Sequence, residues 1–261
     1  MIKIILPLSA IYLCVASSSA LAASCSLIKS SDRFLVQEGT CHHRSAPACS
    51  FNIAIALMAA NEGIISDAQH PNLPFIEGYD DGIDKWRQHH NPTTWIRNSC
   101  LWYSKVMTQL LGQEVFQTYV SDFHYGNQDA QGLNGEPGVA GAWLSSSLQI
   151  SPLEQIDFIS RLVTDALPVS SEAVRITREI LKVQTLSNGW TVYGKTGAAH
   201  RQDLGTITDQ TPLVGWFVGW AEKNKQVVPF AFRIEDEHLA RDYPSTRARA
   251  NALITLKNIL K

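Results

Sequence analysis

The apolar positions of this chain change their spacing along its length, and the change marks two kinds of element. Over residues 51–64 apolar side chains run almost unbroken through Phe51, Ile53, Ala54, Ile55, Ala56, Leu57 and Met58. They stop at Asn61-Glu62-Gly63, which predicts a helix with an apolar face. A second helix is predicted over 102–111, where Leu101, Val106 and Leu110 fall on one face. Ser151-Pro152-Leu153-Glu154 opens a third, with serine as cap, proline in the first turn and an acid at the third position; the pattern continues over 156–167. A fourth covers 171–181.

The later pattern is that of strands. Trp190-Thr191-Val192-Tyr193-Gly194, residues 213–220 and residues 227–232 are short runs rich in aromatic and β-branched side chains. Turns such as Glu222-Lys223-Asn224-Lys225 separate them, as antiparallel hairpins require. A last helix is predicted over 245–260. Near the start, residues 25–28 and 34–36 read as two strands around Ser30-Ser31-Asp32-Arg33. Residues 66–98 and 125–138 are polar, rich in Pro, Gly, Asp or Asn, and read as irregular. The order is hairpin, helical block, antiparallel strands and terminal helix. It predicts an α+β fold, an antiparallel sheet flanked by helices with an all-helical lobe.

Composition narrows the partners. The 261 residues are 45% hydrophobic and 18% charged, an ordinary globular balance, and the formal net charge is -2 with no long basic run. That balance disfavours nucleic acid and anionic membrane surfaces as partners. The first residues form a separate segment: Lys3, an apolar run over 4–15, a small polar stretch over 17–19, and Ala20-Leu21-Ala22 as a cleavage site. Residues 1–22 are therefore expected to be a signal peptide and 23–261 the exported domain, periplasmic or secreted. A retained anchor is the weaker reading, because the run falls short of the roughly 20 residues that span a bilayer.

Cleavage removes Cys14 and leaves Cys25, Cys41, Cys49 and Cys100, which an oxidising compartment can pair. Four cysteines allow three pairings. Cys25 and Cys41 flank the predicted hairpin, so their pairing comes first. Free buried cysteines are the alternative, and Cys49 with Cys100 is a further pairing. No metal site is expected, since His42-His43 and His89-His90 are adjacent pairs rather than helix-spaced ligands.

The candidate chemistry begins at Ala46-Pro47-Ala48-Cys49-Ser50-Phe51-Asn52, directly before the first helix. Serine enzymes that recognise penicillin carry Ser-x-x-Lys at such a junction. Here the two positions hold Cys49 and Asn52. No lysine lies between residues 30 and 84, so no shift of frame restores the pair. Downstream stand Asn98-Ser99-Cys100-Leu101, Tyr125-Gly126-Asn127, Trp143-Leu144-Ser145-Ser146-Ser147-Leu148-Gln149-Ile150-Ser151-Pro152 and Lys195-Thr196-Gly197. Each alone is weak; Ser99 by itself reads as a helix cap and Tyr125-Gly126-Asn127 as a turn. In order and spacing together, they resemble the class D (oxacillinase-type) serine β-lactamases over nearly the whole chain from Cys25 onward.

The resemblance implies an α-helical lobe and an α/β lobe with the site between them, and opening of the β-lactam ring through an acyl-enzyme. It puts Cys49 on the nucleophilic serine, Asn52 on the lysine and Ser99 on the serine that relays protons. It puts Leu101 on the hydrophobic residue over the lysine and Trp143 on the tryptophan that steadies the carboxylated lysine. Lys195, Thr196 and Gly197 match the motif that binds the substrate carboxylate, with Arg247 or Arg249 as the arginine that joins them. The ligand implied is a β-lactam or a peptidoglycan-peptide-like small molecule, with no cofactor besides the carbon dioxide that the family's lysine takes up.

The two departures divide the chemistry. A carboxamide has no titratable group near neutral pH, so Asn52 cannot serve as general base, a role worth roughly a hundred- to ten-thousand-fold in rate. A thiol ionises near pH 8.5, and a helix N-terminus with Lys195 nearby is expected to favour the thiolate of Cys49. Three readings follow: a β-lactam-recognising homologue with hydrolysis impaired or absent, an active β-lactamase that uses Cys49, and a non-catalytic periplasmic binding or structural protein.

Overall fold

The structure, a computed structural model, describes residues 24–133, 135–202, 207–208, 210–238 and 240–261; the expected signal peptide lies outside them. Six strands form one antiparallel sheet in the order β2-β1-β6-β5-β4-β3. β1 (Cys25–Ser30) and β2 (Arg33–Gly39) are the expected hairpin, with Ser31 at φ 51° in its turn. The other edge of β1 pairs with β6 (Gln226–Glu235), and β6 pairs with β5 (Leu213–Lys223) around Asn224 and Lys225 at φ 50° and 66°, the two positive values that a tight twisted hairpin turn takes. β5 pairs with β4 (Thr191–His200), and β4 with β3 (Lys182–Thr185). β3 was not among the expected strands. It is four residues of largely polar sequence, and its partner strand rather than its own pattern selects it.

The alternation of β5 explains why it is buried nearly throughout. Val214, Trp216, Val218 and Trp220 face the main core, whereas Phe217 and Ala221 face a second core under the terminal helix α7 (Pro244–Ile259). Ala248, Ala252 and Leu256 of α7 close that second core. The other face of the sheet packs on α5 (Pro152–Val163), which Ser151 caps as expected: its hydroxyl accepts from the Glu154 N–H, while the Glu154 carboxylate accepts from the Ser151 N–H.

α1 (Asn52–Asn61) is the central helix. It was expected to show one apolar face, but Asn52 to Ala59 are all buried, because the helices over Leu101–Leu111 and Ser171–Ile180 and the sheet enclose it on every side. α3 (Leu101–Leu111) also differs from expectation. Trp102, Tyr103, Met107 and Leu111 are the buried face, and Leu110 is 60% exposed. Two helices went unexpected: α2 (Pro92–Asn98), capped by Asn91 within the stretch read as irregular, and α4 (Gln113–Asp122), begun afresh after Gly112. α6 (Ser171–Ile180) lies where expected. Cys25 and Cys41 are disulfide-bonded, while Cys49 and Cys100 are free thiols, so the further pairing of Cys49 with Cys100 is not formed. Among the described residues no helix is long and apolar enough to cross a membrane.

Candidate active site

Cys49 sits in a single 3-10 turn, Ala48–Phe51, that leads into α1. Several contacts from distant parts of the chain hold the turn. The Trp216 indole donates to the Ala46 carbonyl at 2.9 Å, and the Ala48 N–H donates to the Trp143 carbonyl at 2.9 Å. The Ser50 hydroxyl donates to the Pro47 carbonyl at 2.7 Å and accepts from the Gln155 amide at 3.3 Å. Ala48 itself is at φ 50°, a left-handed conformation that costs a non-glycine residue free energy and persists only where surroundings enforce it. Gly197 supplies the last constraint. A Cβ there would lie 2.6 Å from the Ser50 nitrogen, 2.7 Å from the Pro47 oxygen and 3.0 Å from the Cys49 nitrogen. Only glycine lets β4 run this close behind the turn, and so places the Cys49 backbone N–H against the strand that carries Lys195.

Asn52, one turn of helix beyond Cys49, is fully buried. The Ser104 hydroxyl donates to its Oδ1 at 3.1 Å, and the Trp95 indole donates to Ser104 Oγ at 2.8 Å. Among the described residues Asn52 Nδ2 has no hydrogen-bond partner, and neither has the indole N–H of Trp143, which is also buried. Trp143 stacks on Phe51, with ring centroids 5.8 Å apart and planes 30° apart. A buried donor without an acceptor costs about 1–3 kcal/mol. Asn52 Nδ2 and the Trp143 indole, neighbours of Phe51 in sequence and in contact respectively, are thus two buried N–H donors without an acceptor.

Ser99 ends α2 in a left-handed conformation, φ 49° and ψ 44°, and is thus a C-terminal rather than an N-terminal cap. Lys195 Nζ donates to the Ser99 hydroxyl and, at 2.9 Å, to the Thr196 carbonyl. Lys195 is 3% exposed, and among the described residues no carboxylate neutralises it. Burial lowers its pKa, with the Cys49 sulfur opposing. The expected thiolate at Cys49 is corrected by the same balance: burial pushes the thiol up, and the Lys195 charge offsets only part of this. Cys100, buried at the start of α3, is pushed up to about 12, chiefly by burial.

The pair Arg247 and Arg249 divides cleanly. Arg247 donates to both carboxylate oxygens of Asp236, at 2.7 and 2.6 Å, whereas Arg249 lines a cavity with Lys195 and Thr196. β3 covers only the first residues of β4, so from Lys195 to His200 one edge of β4 pairs with no strand among the described residues. The cavity with Arg249 lies at the Lys195 end of that edge, and a second, lined by Leu144, Ala198, Leu213 and Tyr243, at the His200 end. Leu101 is half-buried at the first residue of α3, two residues past Ser99. Cys49, Asn52, Ser99 and Lys195 to Gly197 thus meet where the helical lobe touches the sheet, with Trp143 joined to them through Phe51.

Sequence reasoning missed the supports. Ser104 and Gln155 bear on Asn52 and Ser50 from helices about 50 and 100 residues away, and nothing local in their sequence signals this. Tyr125-Gly126-Asn127 proved to be one of these supports: the Tyr125 hydroxyl accepts from Gln155 at 3.0 Å, and its ring packs 4.8 Å from Phe51. Gly126 has φ 56°, and a Cβ there would lie 2.0 Å from the Gln149 carbonyl oxygen. Among the described residues no cluster of His, Cys, Asp or Glu could hold a metal.

Comparison with known proteins gives the chain's relatives. Residues 18–261 match the model of the penicillin binding protein transpeptidase domain. The chain is 36% identical over 248 residues to β-lactamase OXA-9 of Klebsiella pneumoniae, covering 93% of this chain and 90% of that protein. It is 35% identical over 222 residues to β-lactamase OXA-1 of Escherichia coli, covering 84% of this chain and 77% of that protein. The crystal structure of the class D β-lactamase OXA-427 superposes with a TM-score of 0.83 at 37% identity, covering 91% of this chain and all of that one.

Proposed function

This chain belongs to the penicillin-binding transpeptidase-domain family and, within it, to the class D β-lactamases, and on that footing we propose that it is an exported protein that recognises β-lactams but does not hydrolyse them efficiently. The observation that carries the reading is the contrast between two neighbours of Cys49. Lys195 is hydrogen-bonded to Ser99, as recognition and proton relay require, whereas Asn52 offers no base.

In the acylation half, Cys49 Sγ attacks the lactam carbonyl carbon, and the ring C–N bond breaks. The thiol proton ends on the ring nitrogen through Ser99 and Lys195. The Cys49 backbone N–H stabilises the oxygen that becomes negative. The raised thiol pKa makes this step slow at neutral pH. The product is a thioester. Its hydrolysis needs a base to take a proton from water, and Asn52 has none to offer, so the thioester persists. The substrate carboxylate binds Lys195, Thr196 and Arg249. Residues 1–22 act as the export signal, which puts the domain, 23–261, in the periplasm or outside the cell.

Intact mass after exposure to a penicillin tests this. A single lasting adduct at Cys49, absent from Cys49→Ala, is expected. No adduct together with no measurable binding would leave only a structural or unrelated binding role.

A further inference from the structure

The cavity at the Lys195 end of β4 has a volume of about 350 Å³ and extends beyond the groups assigned to one carboxylate. Besides Lys195, Thr196 and Arg249, its wall carries Arg97, two residues before Ser99 on α2, and Lys182 at the start of β3. The one acid on that wall, Glu179, is already 3.1 Å from Arg175. Among the described residues, neither Arg97 nor Lys182 has a carboxylate within ion-pairing distance. The chain has 22 basic and 24 acidic residues, so this gathering of unpaired cations is local to the cavity and not a reflection of overall charge.

Like charges lining a recess add their potentials and raise the local concentration of anions. A guanidinium presents a planar fork of donors to a carboxylate or sulfonate, and a lysine adds a point charge. Two cations lie beyond the three groups that one carboxylate engages. We infer that the recess between α2 and β3 is a second anion subsite, and that the ligand it selects is a dianion, bearing a second carboxylate or sulfonate at the same end as the first. This rests on the β-lactam reading above and adds to it a preference that no residue of the Cys49 turn determines.

The test uses the Cys49→Ala variant, in which binding is not followed by acylation. Two cephalosporins serve as probes: they share nucleus and acyl side chain and differ only in whether the tetrazole of the C3 substituent bears a methyl or a sulfomethyl group. Dissociation constants are measured by calorimetry at low and high salt. The sulfonate is expected to bind about tenfold more tightly at low ionic strength, and the advantage to shrink as salt screens it. Adding Arg97→Ala and Lys182→Ala should abolish the advantage while weakening the methyl compound, which loses only long-range attraction to its single carboxylate, by no more than about threefold. Equal binding of the two probes, an advantage that survives the two substitutions, or equal loss of both probes in the substituted protein overturns the subsite. If neither probe binds before the substitutions are made, the β-lactam reading itself falls, and the subsite with it.

Discussion

Asn52 accepts a hydrogen bond from the Ser104 hydroxyl at 3.1 Å, and that hydroxyl accepts the indole N–H of Trp95 at 2.8 Å. Asn52 is thereby the end of a structural chain linking α1, α3 and α2. Removing the middle of the chain orphans both ends: Ser104→Ala leaves the Trp95 N–H and the Asn52 carboxamide oxygen buried and unpaired. At about 1–3 kcal/mol for each orphaned group it should cost roughly 2–6 kcal/mol, more than the ~1 kcal/mol or less expected for Asn52→Ala, which also removes an unpartnered N–H. Urea unfolding with the Cys25–Cys41 disulfide intact measures both.

That network marks the boundary of what can be read from the chain. The long strands were legible because aromatic and β-branched runs alternate between two covered faces, as Trp216, Phe217 and Val218 do. β3 was not, because Lys182-Val183-Gln184-Thr185 has no pattern apart from its partner. α2 hid in a polar stretch because its capping box pairs Asn91 with Thr94, not with the acid or amide that usually signals one. α4 carries a helical pattern in Val115, Phe116, Tyr119 and Val120, but only Gly112 separates it from α3. The site motifs were legible as local words. What each side chain touches was not: Ser99 meets Lys195 across 96 residues, and Asn52 meets Ser104 across 52.

The ionisation of Cys49 sets a pH dependence. Burial raises the thiol above its ordinary value and Lys195 offsets only part of that, so below the raised pKa the thiolate fraction falls tenfold for each unit of pH. The rate of alkylation by iodoacetamide should therefore climb steadily from pH 7 to 9 by about tenfold per unit, with no plateau near 8.5. Cys100, buried and pushed up to about 12, should stay unmodified in the native protein over the same range. Peptide mapping separates the two cysteines. A plateau below pH 8 at Cys49 would mean that Lys195 outweighs burial.

Gly197 is where the strand and the turn come closest. Gly197→Ala puts a methyl group 2.6 Å from the Ser50 nitrogen and 2.7 Å from the Pro47 oxygen, both backbone atoms that cannot swing aside. The turn must shift away from β4, and overpacking of this kind costs typically 1–3 kcal/mol. The adduct at Cys49 should be lost even where the protein still folds, because the shift separates Cys49 from Lys195. Circular dichroism melting and intact mass on the same sample distinguish loss of fold from loss of site.

The central claim is that recognition and proton relay are intact while the general base is missing. Its most direct test is the rate at which a chromogenic cephalosporin is hydrolysed by the wild type and by Cys49→Ser combined with Asn52→Lys, each with and without added bicarbonate. Once carboxylated, the introduced amine would be a carbamate, a base and hydrogen-bond acceptor where the Asn52 amide has an unpartnered N–H. The wild type is expected to show no sustained turnover. The double variant should hydrolyse at least about a hundredfold faster, the lower bound for a restored general base, and respond to bicarbonate. Sustained turnover by the wild type, or a double variant as inert as the wild type, would contradict it.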